Sequence, residues 1–309
     1  MLNLTRSIPN WGLLCSLVLL SASLLQAKTV KVECGGSKTD PTTISAALKL
    51  LNPNVPNTLN IFGACNENVV INGFNRLTLA GKQGASVTDA SGGKVQTILV
   101  VDSTDVVFQK LKIDGGLVGV QCDSFSVCRF SGDTVLNGSA GIQITQSRAE
   151  LDGTAIRHTQ NGLTSLGASS VRIDAGVTLD SNHIGIVVDG GSTLESIGTT
   201  ITNNRLAGIE VSGHANLSLS STTISGNGNG IEVVGHSNAH LVGSNTITEN
   251  LGFGMYLFDL SFANFDPANN VTGNNLNGGA LDVGCFMQYS ATRGALTNIG
   301  GGTTNCVEP

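Results

Sequence analysis

Two glutamates and two histidines keep one spacing. Glu210 and Glu232 lie 22 residues apart, and so do His214 and His236, each four residues after its glutamate. If the chain repeats at that period, the carboxylates stack about 5 Å apart, the spacing of neighbouring strands, with Tyr256 on the next turn. Stacked like charges raise one pKa or recruit a cation, for which Ca²⁺ is the natural choice. Two carboxylates at such a separation also suit retaining glycoside hydrolysis. The same pairs follow equally from duplication, because Gly-Ile-Glu-Val-x-Gly-His-x-Asn occurs twice, from Gly208 and from Gly230. Asp189 and Asp259 lie just beyond comparable tetrapeptides and could extend an acidic stripe or stand in solvated loops. His158, His183 and His240 are isolated. Arg148, Arg157 and Arg172 could form a basic patch, with Glu150, Asp152 and Asp174 beside them to neutralise it. No phosphate-binding loop, Ser–His–Asp spacing or cofactor motif is present, so neither a cofactor nor a resident metal is expected.

The elements that would position these residues are short and repeated. A tetrapeptide of Gly, apolar, variable, apolar begins at Gly119, Gly141, Gly185, Gly208, Gly230 and Gly254, with weaker copies at Gly162 and Gly279. Successive glycines are 22, 21, 23, 23, 22, 24 and 25 residues apart, the mark of a solenoid. Alternation sends the first and third apolar residues inward and the variable one outward. Leu179, Ile201, Ile224, Ile247 and Val271 keep the same step, each followed three residues later by Asn182, Asn204, Asn227, Asn250 and Asn274. These asparagines predict a ladder at a corner, with a left-handed backbone at the asparagine and a second unusual angle at the glycine. The Leu-x-x-Leu-x-Leu pattern of leucine-rich repeats and the hexapeptides of left-handed β-helices are both missing. The expected fold is all-β, a right-handed parallel β-helix over residues 28–284, with 285–309 as a C-terminal cap or coil. Asp40-Pro41 and the apolar set Ile44, Ala47, Leu48 and Leu51 predict an amphipathic capping helix over 41–51.

Residues 1–27 read as a secretory signal. Arg6 is its only charge, an apolar run extends from Leu13 to Leu25, and Ala27 precedes Lys28 as the mature start. That run is too short for a membrane span, and bulky Leu14 argues against a lipid anchor on Cys15. Loss of Arg6 moves the formal charge from −6 to −7, which disfavours nucleic acid and anionic membranes as partners. Charged residues make up 12%, against about 25% in ordinary domains, and there are 40 glycines, as befits many short strands and tight turns. Six cysteines remain after the signal, an even number that in an exported chain favours disulfides; sequence neighbours pair as Cys34–Cys65, Cys122–Cys128 and Cys285–Cys306. The sequence thus points to a monomeric protein that is secreted, periplasmic or at the cell surface. Asn137, Asn216 and Asn270 head glycan-acceptor triplets.

The repeat, together with Thr43-Ile44-Ser45-Ala46-Ala47-Leu48, Asn60-Ile61-Phe62-Gly63 and Glu67-Asn68-Val69-Val70-Ile71, resembles the pectin-lyase-like superfamily of right-handed parallel β-helix proteins. Those three N-terminal segments are similar to the opening of pectin methylesterases, which belongs to the shared cap and first rung. The resemblance implies architecture over nearly all of the mature chain and a connection to extracellular polysaccharide, by binding or by processing as a polysaccharide lyase or glycoside hydrolase. It transfers no catalytic residue. Adjacent aspartates, Gly-His-Gly, Arg-x-Lys, Gln-Asp, Arg-x-Pro-x-x-Arg and Asp-Pro-His are all missing, and the one tryptophan, Trp11, lies in the signal. Tyr256, Phe258, Phe262 and Phe265 form the one aromatic cluster in sequence and give Tyr256 as a binding candidate. A non-catalytic structural or surface-adhesion solenoid remains the alternative.

Overall fold

A computed structural model describes residues 26–36, 40–278, 281–286, 290–293 and 298–307. The signal read over 1–27 falls almost wholly outside them, as do the tetrapeptide glycine Gly279 and Cys15. All strand pairs are parallel, and the chain coils so that each turn adds one strand to a ten-stranded sheet and two to a twenty-stranded sheet. The latter has a long-strand face, for example Thr193–Ile197, and a short-strand face, for example Thr200–Thr202. Register follows the repeat: Ile186 pairs with Ile209, and Ile209 with Ile231. Those isoleucines are fully buried, and each contributes roughly 1.5–3 kcal/mol by leaving water. Phe108 and Phe130 stack in the same core with ring centroids 5.0 Å apart.

The tetrapeptide glycines work differently from the expectation. Gly119, Gly141, Gly162, Gly185, Gly208, Gly230 and Gly254 do not have positive φ. A Cβ on Gly185 would lie 2.5 Å from the Gly208 carbonyl oxygen and 3.0 Å from the Asn204 Nδ2, so close approach between turns is what demands glycine. The left-handed residue of the asparagine corner is likewise the one before the ladder: Ser181, Asn203 and Glu249 have φ of 57°, 56° and 59°. The ladder itself forms. Asn182 N–H donates to Asn204 Oδ1 at 3.0 Å, Asn204 to Asn227 at 2.9 Å, Asn227 to Asn250 at 3.0 Å and Asn250 to Asn274 at 3.2 Å.

Two further ladders close the other corners. Serine hydroxyls accept from the previous turn through Ser103, Ser126, Ser147, Ser169 and Ser192, and again at Ser237. Between the two faces of the larger sheet, Asn245 accepts from Thr222 N–H and Asn269 from Asn245 N–H. Asp133 occupies the same corner near the N-terminal end, buried, accepting from Leu111 and Ser131 N–H at 2.8 and 3.0 Å. Burial pushes its carboxyl up to about 7, against the two backbone donors.

The capping helix is shorter than its pattern, Ile44–Leu48, and starts at Thr43 rather than Asp40. Thr43 Oγ1 accepts from Ala46 N–H, while the Glu67 carboxylate accepts from Ile44 N–H, Ser45 N–H and Ser45 Oγ. A carboxylate at the helix start, brought from the bend between Asn57–Asn66 and Val69–Asn72, fixes the first turn. Ile44, Ala47 and Leu48 cover the apolar end of the stack. Lys28–Glu33 adds a first strand, paired with Asn57–Asn66, that the repeat did not announce. Strand pairing continues to Val283–Phe286 and Ala291–Arg293. Disulfides join Cys34–Cys65, Cys122–Cys128 and Cys285–Cys306.

Candidate functional site

On the ten-stranded sheet the outward column runs Gln121, Gln143, Thr164, Val187, Glu210, Glu232 and Tyr256, each in register with the next. Glu210 and Glu232 are therefore neighbours on Ala207–Val211 and Asn229–Val233. Burial, then the carboxylates of Glu232 and Asp189, hold the Glu210 carboxyl above its ordinary range. Asn229 Nδ2 donates to Glu232 at 2.7 Å, and Ser212 Oγ donates to Asp189 at 3.0 Å.

The histidines stand elsewhere. His214 and His236 occupy left-handed positions at the corner after the strand, exposed, with rings stacked 5.2 Å apart. Among the described residues no hydrogen bond or ion pair joins either imidazole to Glu210 or Glu232. Asp189 acts electrostatically on Glu210. Asp259 lies at the corner, where its carbonyl accepts from His236 N–H. The close trio of metal-ligating side chains among the described residues is Cys34, Cys65 and Glu67, and the disulfide occupies both sulfurs.

The aromatic cluster read from sequence divides between faces. Tyr256 stacks on Phe286 at 5.0 Å and on Phe258 at 6.1 Å, with Phe253 alongside. Phe265 is buried in the core, and Phe262 projects on the long-strand face of the other sheet. Alternation along Phe262–Phe265 puts residues three apart on opposite sides.

That long-strand face carries a feature the tetrapeptides did not reveal. A groove of about 650 Å³ crosses Ser170–Ile173, Thr193–Ile197, Asn216–Ser220, Asn238–Val242 and Phe262–Phe265. At about 4.8 Å per strand its floor extends roughly 20 Å. One outward column is Ser170, Thr193, Asn216, Asn238 and Phe262; the next is Arg172, Glu195, Ser218, His240 and Asn264. Asn238 Nδ2 donates to Asn216 Oδ1 at 3.2 Å. Arg172 pairs with Asp174 and Glu195, both at 3.0 Å, and His240 with Asp266 at 3.2 Å. Two steps toward the N-terminus Arg129 bridges Asp105 and Glu150 at 3.3 and 3.2 Å, so Arg129, Glu150, Arg172 and Glu195 alternate in sign along the column. The basic patch considered for Arg148, Arg157 and Arg172 thus reduces, at Arg172, to a neutralised pair. The groove was legible in principle, since its columns keep the same 22–24-residue step. Finding it requires carrying the register beyond the tetrapeptide.

Residues 161–301 match the family model described as right handed beta helix region. Tailspike protein 2 of bacteriophage CBA120, in its enzymatically active domain, is similar at a TM-score of 0.65 and 12% identity, covering 87% of this chain and 47% of the tailspike. The A-module of mannuronan C-5 epimerase AlgE4 from Azotobacter vinelandii gives a TM-score of 0.55 at 11% identity, covering 86% of this chain and 91% of the module. The chain thus spans about half the length of the tailspike domain that it matches. No curated protein matches in sequence.

Proposed function

Given that the chain is a right-handed parallel β-helix, we propose that it is an exported solenoid that binds or processes an extracellular polysaccharide in the groove of its long-strand face. The observation that carries this reading is the groove itself, crossing five strands and lined by amide and hydroxyl side chains with Phe262 at one end. Such a surface matches an extended chain of sugars, whose rings present hydroxyls at the edge and an apolar face. A mannuronan epimerase among the similar folds supports the ligand class. The signal read over 1–27 and three disulfides support a secreted, periplasmic or cell-surface location, and no described helix is long and apolar enough to cross a membrane.

The experiment separates three outcomes. The mature protein is incubated with polyuronides and with uncharged glycans, with and without Ca²⁺. Reducing ends or unsaturated products identify a glycoside hydrolase or lyase. Retention without products identifies a binder. Absence of both products and retention rejects the proposal and leaves a structural or adhesion role. A second reading, acid–base or Ca²⁺ chemistry at Glu210 and Glu232, draws support from the raised Glu210 carboxyl. Changing both to Gln then abolishes Ca²⁺ uptake or turnover, and unchanged uptake and turnover reject it.

A further inference from the structure

The charges of the groove narrow the ligand class. We propose that the long-strand groove takes an uncharged polysaccharide laid along the solenoid axis, independently of Ca²⁺, and discriminates against polyuronides. This deepens, and rests on, the reading of the protein as a polysaccharide binder.

Two basic side chains line the groove, Arg172 and His240. Arg172 directs Nε to Asp174 and Nη1 to Glu195, and the Asp266 carboxylate lies 3.2 Å from His240 Nε2 without a hydrogen bond between them. A uronate reaching the remaining donors of Arg172, or His240, would stand beside these carboxylates, with like charges side by side. Like-charge contact of that kind disfavours an anionic ligand relative to an uncharged one. The formal charge of −6 on the whole chain acts in the same direction.

What the groove does offer is uncharged. Ser170, Thr193, Asn216, Ser218, Asn238 and Asn264 each carry a group that can both donate and accept. The Asn238-to-Asn216 hydrogen bond orients both amides and uses one of their four N–H donors and one of their four acceptor lone pairs. Sugar hydroxyls are also donors and acceptors, so complementarity needs no fixed polarity. Phe262 supplies a ring face against which the apolar side of a sugar ring can rest. Because the columns repeat once per strand, polar contacts recur along the axis, and a chain crossing the axis would meet one set only.

Affinity electrophoresis of the mature protein tests this, with gels containing β-glucan, galactan or mannan, or polygalacturonate or alginate. Retardation by at least one uncharged glycan is expected, unaltered by EDTA and by high salt. The Asn216→Ala/Asn238→Ala double variant should bind about tenfold more weakly, a loss of about 1.4 kcal/mol. Phe262→Leu, which keeps an apolar side chain in the column, reads the same surface should the double variant melt early. Preference for a polyuronide over every uncharged glycan overturns this inference and leaves polysaccharide binding standing. Retention by no glycan at all defeats both. Binding of an uncharged glycan that survives both sets of substitutions removes the site from this groove.

Discussion

At the scale of the residue, titratable groups behave according to where the coil puts them. Glu210 and Asp133 are both carboxylates with raised pKa, for different reasons. Glu210 stands half-buried on an outward face and feels Glu232 and Asp189, whereas Asp133 lies inside a corner ladder with backbone donors alone. An unfolded aspartate ionises near pH 3.9, so the folded protein holds the Asp133 proton over a window extending to about pH 7. The stability that this protonated form contributes is complete below about pH 4 and is lost as pH rises through 7. Asp133→Asn removes the ionisation and keeps an acceptor for Leu111 N–H, at the cost of the acceptor for Ser131 N–H. Relative to the parent, the variant should fare better at pH 8 than at pH 4. An equal change at both pH values in a scanning-fluorimetry series would reject burial of this carboxyl as the cause.

At the scale of the element, short strands are held at their corners as much as along their lengths. Strands such as Thr223–Ser225 are three residues long and could not pair alone. Asn227 shows how they are fastened. Its Oδ1 accepts from Asn204 N–H and Nδ2, and its Nδ2 donates to Ile201 O, Ser225 O and Asn250 Oδ1. Asn227→Ala would leave buried donors and acceptors on both neighbouring turns without partners, each costing about 1–3 kcal/mol. A loss of at least about 2 kcal/mol in urea unfolding is expected. A change below about 0.5 kcal/mol would mean that water or a rearranged neighbour replaces the ladder rung. The alternation of Arg129, Glu150, Arg172 and Glu195 works at this scale too, since a shift by one turn would stack like charges.

At the scale of the whole molecule, each turn touches its neighbours, so the ends are where the stack can open. The N-terminal end carries a helix, a first strand and the Cys34–Cys65 disulfide; near the C-terminal end, Cys285–Cys306 ties a late strand to the tail. Closing a loop of 31 residues constrains the unfolded chain by about 3–4 kcal/mol. Hydrogen exchange with and without a reductant should show Lys28–Glu33 and Val283–Phe286 losing protection first, while the central isoleucine strands hold. Uniform loss along the solenoid would show instead that the stack unfolds as one cooperative unit.

The period of the glycine tetrapeptide and the in-step asparagines determined the parallel coil, the inward set and the asparagine ladder. Both depend on contacts between residues one turn apart, and a repeat writes such contacts directly into the sequence. The stacking of Glu210 on Glu232 was legible for the same reason. What the sequence left undecided depends on contacts between different columns. His214 follows Glu210 by four residues, yet the corner turns the imidazoles onto another surface. Phe262 and Phe265 are close in sequence and lie on opposite sides of one strand. The two groove columns stand two residues apart on the same strands, so alternation gives them one face, and only the folded coil shapes that face into a groove. Repeat spacing specifies what stacks along the axis, and tertiary structure alone fixes what meets around it, because the corner angles are set by buried ladders and by glycines too crowded for a Cβ.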